Sequence, residues 1–253
     1  QDFMLKYDRN RALSARWIYI SVFATPLFLM LTRMDAIAGI LRAKEPLAAG
    51  WTNQFILDTL QGDAMLFFLP VICALPYASS FVDEAKSGVT KFVLTRVKCS
   101  RYLSSKAAAA AFSGGAVVLL GTLAFLCAAL VLFLPLEEGN RGQELAAAVP
   151  EYGRLLCRYF CLGALGAETG LWLSTLLYNR YMAWLSPFMA EYLLIIFCER
   201  YFPECKILYP AQWLKPEAAW PWNGWSVVCW LALLCGASAA GFFKAAKRRL
   251  GRG

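Results

Sequence analysis

Long apolar runs alternate along the chain with short charged connections, and the runs fall into one length class. Six of them approach the about 20 residues that a helix rising 1.5 Å per residue needs to cross roughly 30 Å of hydrocarbon. They are Trp17–Arg33, Ala64–Phe81, Ala107–Leu134, Leu155–Tyr178, Met182–Cys198 and Trp225–Phe243. The pattern predicts an all-α polytopic membrane protein forming a single transmembrane domain over residues 1–253. Pro135 and the following LEEGNRG mark a turn after the third run. Only Asn179, Arg180 and Tyr181 separate the fourth run from the fifth, so those two are expected to form a tight antiparallel pair. The first run begins basic and is followed by AIA at Ala36–Ala38, which gives it a signal-peptide look; it is read as a retained span.

Composition agrees with the pattern. Hydrophobic residues make up 59% of the chain and charged ones 17%, with a mean hydropathy of +0.50, more apolar than one soluble core of this size requires. The net charge of +8 is not read as a nucleic-acid footprint, because the cations lie in the connections between runs. With the N-terminus inside, sixteen of the 25 Lys and Arg fall on the inner side, and eleven of the 17 acids fall on the outer side. The positive-inside bias therefore puts both termini and the segment Ser79–Lys106 in the cytoplasm of a cell membrane, as in a bacterial plasma membrane.

Missing residue types narrow the chemistry. The chain has no histidine, which removes His-ligated haem and zinc sites and every Ser-His or Cys-His hydrolytic arrangement. It has no G-x-x-x-x-G-K-[ST] phosphate loop, so it is not expected to hydrolyse nucleotide alone. No catalytic residue, metal site or cofactor of its own is assigned. The nine cysteines include no C-x-x-C pair and are read as packing residues, with Cys198 and Cys205 able to pair at the outer surface.

The segment SSFVDEAKSGVTKFVLTRVKCSRYLSSK holds six Lys or Arg and two acids between two apolar runs. Within it Phe81, Ala85, Val89, Phe92, Val93 and Val97 recur at three- or four-residue steps, while Asp83, Glu84, Lys86, Lys91 and Arg96 take the remaining arc. This predicts an amphipathic cytoplasmic helix, with Gly88 as a point of interruption. Such a helix either lies among headgroups or docks its apolar face into a groove of a partner protein.

At this point the chain resembles the permease subunits of type-2 ATP-binding-cassette exporters. The resemblance rests on the six spans, the N-terminal lead-in 1–16, and a loop between spans two and three carrying Ser80, Phe81, Glu84, Gly88, Leu94, Tyr102, Leu103 and Lys106. LSTLLYNRYMAWLSPF, Leu173–Phe188, is similar to the short basic turn and proline-bearing fifth span of that family. The resemblance implies a separate cytoplasmic ATPase that binds ATP and Mg, with 82–106 as the coupling segment seated in its cleft. Phe81, Ala85 and Val89 would enter the cleft, with Glu84 and Lys86 at its rim and Gly88 between the two parts. It further implies a second permease copy, identical or paralogous, and export of an amphipathic molecule such as a peptide antibiotic, a drug or a lipid-like compound. A non-transporting scaffold or sensor that recruits a cytoplasmic partner is the alternative, and a third is an enzyme with an intramembrane carboxylate site.

Five further features are candidates. In the lead-in, Phe3, Met4, Tyr7 and Leu13 are expected on the membrane and Lys6, Arg9 and Arg11 at headgroups. Glu168 and Glu191 lie inside apolar runs, where an ionised side chain costs roughly 2.5 kcal/mol or more. They are read either as translocation or gating groups or as structural hydrogen-bonding groups. Gly163, Gly166 and Gly170 would let a neighbouring helix approach closely. Between the last two spans, 199–224 carries Trp213, Trp220 and Trp222, expected as an extracellular aromatic re-entrant segment at headgroup depth. Pro70 and Pro76 are expected to kink the second span.

Overall fold

A computed structural model of the chain describes residues 8, 10–11, 16–43, 47–138, 141–202, 206–216 and 220–251. Among them it is all-helical, 86% helix with no strand, as expected of backbone that must satisfy its own hydrogen bonds in lipid. The helices are α1 (Arg16–Thr32), α2 (Met34–Ala43), α3 (Trp51–Leu60), α4 (Asp63–Ala74), α5 (Ser80–Lys86), α6 (Val89–Leu94), α7 (Cys99–Phe133), α8 (Arg141–Leu177), α9 (Met182–Tyr201), α10 (Pro210–Leu214) and α11 (Trp225–Leu250).

Helices α7, α8, α9 and α11 are each long and apolar enough to cross a membrane. The pairs α1–α2 and α3–α4 reach that length only when joined, and they are bent by 64° and 57° respectively, so the chain has four to six candidate spans. Length explains the ambiguity: the 12 residues of α4 rise about 18 Å, well short of a hydrocarbon core. The second run was expected to extend to Phe81, but α4 ends at Ala74 and turns occupy residues 75–79. The 57° bend at Gln61–Gly62 precedes that run; within the run Pro70 is buried inside α4, and Pro76 lies in the turns that follow the helix. Helix α7 begins at Cys99, eight residues before the expected span, and its 35 residues rise about 50 Å. That is longer than a hydrocarbon core is thick.

The bundle is organised around α7 and α8, whose backbones touch. A Cβ on Gly114 would stand 2.6 Å from the Gly163 carbonyl oxygen, and one on Gly163 would stand 2.6 Å from that of Gly114. The expected glycine face does admit neighbours, and each of its members admits a different one: Gly163 takes α7, Gly166 takes Cys73 of α4, and Gly170 takes Ala183 of α9. The α8–α9 connection is as short as expected, with Tyr178 in a left-handed conformation (φ 55°).

The two ends of the bundle differ in chemistry. At one end Leu47 bridges the turn after α7, exchanging backbone hydrogen bonds with Leu136 and Glu138 at 2.9 Å each. Also there, the Arg158 guanidinium donates to the Leu214 carbonyl at 3.2 Å. The other end gathers Asp8, Arg11, α5, α6, the start of α7, the α8–α9 turn and the basic end of α11.

Candidate functional site

The sequence of α7 places Tyr102, Ser105 and Lys106 three and four residues apart, hence on one helix face. That face meets Glu84 of α5, Tyr77 from the turn beyond α4, and Asp8. Lys106 is 1% exposed. Its ammonium has three protons and three acceptors: Asp8 Oδ1 at 2.8 Å, Glu84 Oε1 at 2.6 Å and the Tyr77 hydroxyl at 2.8 Å. Both carboxylates are completed by other donors. Tyr77 and Ser105 donate to Asp8 at 2.8 and 2.6 Å, Tyr102 donates to Glu84 Oε2 at 2.6 Å, and Arg11 donates to Glu84 Oε1. Burial, and next the Asp8 carboxylate, push the Tyr77 phenol far above its ordinary value, which keeps it a donor.

Two acids and two bases make the cluster neutral, and its hydrogen bonding is saturated. A buried ionic group in that state is compatible with a stable fold, whereas loss of one partner leaves an uncompensated charge in a low-dielectric site. A single ammonium thus ties together the lead-in, the turn after α4, α5 and the start of α7. Helix α5 is held on its other side as well, by Lys86 over the Tyr178 ring at 5.5 Å and by the looser Arg180–Asp83 pair at 3.7 Å.

The single amphipathic helix expected from Phe81 to Val97 is two short helices. Gly88 separates them in a left-handed conformation (φ 77°), which a residue with a Cβ adopts only at a cost. The break redirects the side chains. Phe81, expected in a partner's cleft, is 1% exposed and packs edge-on against Phe242 of α11, with ring centroids 5.4 Å apart. Glu84, expected at a rim, is buried in the ionic cluster, and Arg11, expected at headgroups, pairs with it. Ala85 is half-buried, while Lys86 is exposed. The outward ridge belongs to α6 instead: Val89 is 44% and Phe92 77% exposed. Of the lead-in, Phe3, Met4, Lys6, Tyr7, Arg9 and Leu13 lie outside the described residues, as does Cys205.

The intramembrane acids stay apart. Glu168 is 1% exposed on α8, near Cys235 of α11, and its Oε2 has no hydrogen-bond partner among the described residues. Glu191 lies on α9 near Cys73 of α4. Among the described residues no hydrogen bond joins the two acids, and no group of three or more Cys, Asp or Glu side chains is placed to hold a metal ion. The three tryptophans also separate. Trp213 is buried and donates to the Ile207 carbonyl at 2.8 Å. Trp220 lines a cavity of about 590 Å³ with Arg154 and Arg158, and Trp222 is 76% exposed.

No protein-family model matches the chain, and no curated protein matches it. Sequence reasoning missed Tyr77, Ser105 and, most consequentially, Asp8. The one signal available was an acid standing between Lys6 and Arg9 in a basic lead-in, a place where a solvated tail has no use for it.

Proposed function

We propose that the chain is the membrane-spanning permease subunit of an ATP-driven exporter. In this reading it has six spans, counting each bent pair as one, and both termini in the cytoplasm. A separate cytoplasmic ATPase binds ATP and Mg and docks on the α5–α6 segment, a second permease copy completes the pathway, and the cargo is amphipathic. The chain contributes motion rather than chemistry.

One observation carries this reading: the segment between the second and third spans is anchored inward through the Lys106 cluster while it presents Val89 and Phe92 outward. A push on that ridge would pass through Glu84 to Lys106, and so into α7, because a saturated buried ionic cluster resists shearing more than a loop does. A helix lying passively among headgroups needs no such internal tie. Charge supports the orientation, since the end carrying the cluster is also the end with most Lys and Arg.

The testing experiment purifies the complex from native membranes and follows ATP turnover with and without cargo. A nucleotide-hydrolysing subunit should co-purify, and Val89→Asp or Phe92→Asp should leave its basal turnover intact while abolishing coupled transport. Coupled transport that survives both substitutions refutes the docking assignment. Recruitment of a partner without any cargo movement would favour a scaffold.

A further inference from the structure

Beside the ionic cluster, on the side facing α11, lies a cavity of about 890 Å³. Its walls come from α6, the end of α8 and the last turns of α11. Gly241, Lys244, Ala245 and Arg248 form one stripe of α11 at steps of three and four residues, and that stripe faces Thr90, Lys91 and Leu94. Gly241 is required for the floor, since a Cβ there would stand 2.5 Å from the Trp172 ring. Phe81, Trp172 and Leu176 make that floor apolar.

The charge at the mouth is of one sign. Lys91, Lys244, Arg248 and Arg249 all line the cavity, and among the described residues no carboxylate does. Arg249 is already committed: it donates to the Thr175 carbonyl at 3.0 Å and to that of Leu176, and it covers the Tyr178 ring at 4.8 Å. Lys91, Lys244 and Arg248 make no salt bridge among the described residues. Three exposed cations lining one cavity with an apolar floor suit an anion with an apolar body. Lys247, on the same helix, lies outside the cavity lining.

We propose that this cavity binds the headgroup of an anionic phospholipid, with Lys91, Lys244 and Arg248 on the phosphate and the Phe81–Trp172–Leu176 floor under the first carbons of its tails. The volume falls within the roughly 300–1,000 Å³ of organic ligand sites and far exceeds what a bare phosphate ion fills. The bound lipid would bridge α6 to α11, so that anionic lipid stiffens the segment carrying Val89 and Phe92. The proposal goes beyond the exporter reading and does not depend on an ATPase partner.

The test purifies the full chain into mixed micelles containing equal phosphatidylglycerol and phosphatidylcholine and reads retained lipid by native mass spectrometry. The wild type should retain phosphatidylglycerol in preference. Lys244→Ala with Arg248→Ala should lower that preference about 25-fold, at about five-fold per cation. Lys247→Ala is the control and should leave the preference unchanged. Lys91→Glu, on the opposite wall, tests the same site independently should the double variant fail to fold. Equal retention of both lipids, or an equal loss with Lys247→Ala, overturns the site. A separate arm adds inorganic phosphate alone; if it displaces the lipid and raises thermal stability as much as phosphatidylglycerol does, the occupant is a free phosphate and the lipid assignment fails.

Discussion

Asp8 and Lys106 are 98 positions apart in the sequence and meet at 2.8 Å, each only 1% exposed. Their contact closes the basic end of the bundle over the turns that follow α4. It also makes the lead-in a structural member of the fold rather than a peripheral arm.

Lys106→Met keeps the length and packing of the side chain but leaves Asp8 and Glu84 buried without their shared cation. The expected cost is about 3–5 kcal/mol, measured by thermal or denaturant unfolding in detergent. Adding Asp8→Asn and Glu84→Gln to Lys106→Met should recover much of the loss, because no charge then remains buried without a partner. A triple variant no more stable than Lys106→Met would contradict this account of the cluster.

Gly88 sets the angle between α5 and α6. Gly88→Val should cost about 1–2 kcal/mol through its left-handed backbone and should raise amide exchange across residues 80–94 while the amides of α8 stay protected. Unchanged exchange there would show that the break is not set by Gly88.

How much of this was legible in the sequence depends on the range of the forces involved. Spans reveal themselves through local composition, so the run Met182–Cys198 lies within helix α9, and the run Ala107–Leu134 lies within α7 except for its last residue. Bends do not: the runs stop at Arg33 and start at Ala64, but nothing in their composition shows that α2 and α3 join them at 64° and 57°. The periodicity of 81–97 was real but was read on a straight helix, and one left-handed glycine sends Phe81 inward and Phe92 outward. Of the eight loop residues quoted for the family resemblance, five, Phe81, Glu84, Gly88, Tyr102 and Lys106, together build the ionic cluster, its aromatic cover and the break beside it. Asp8 was out of reach because the groups it bonds, Tyr77, Ser105 and Lys106, lie 69 to 98 residues away in the chain.

Gly163 should tolerate no larger residue. Gly163→Leu would drive a side chain into the Gly114 carbonyl and Val118. The expected result is loss of folded, monodisperse protein in size-exclusion chromatography, and Gly39→Leu, where a Cβ meets open space, is the tolerated control.

Glu168 separates a structural from a transport role. Its Oε2 is buried without a partner, so Glu168→Leu should leave the unfolding midpoint unchanged or raise it, as removal of an unsatisfied polar atom does. If Glu168 acts in translocation, the same variant loses transport while staying folded. A large destabilisation would instead mark it as a hydrogen-bonding group of the bundle.

The most direct measurement places a photoreactive benzophenone amino acid at position 92, irradiates native membranes, and identifies the adduct by mass spectrometry. The account expects covalent capture of a cytoplasmic protein bearing a G-x-x-x-x-G-K-[ST] phosphate loop, in a yield that falls when Lys106→Met loosens the segment. Capture of lipid alone, of a protein on the outer face, or of no protein at all would contradict it.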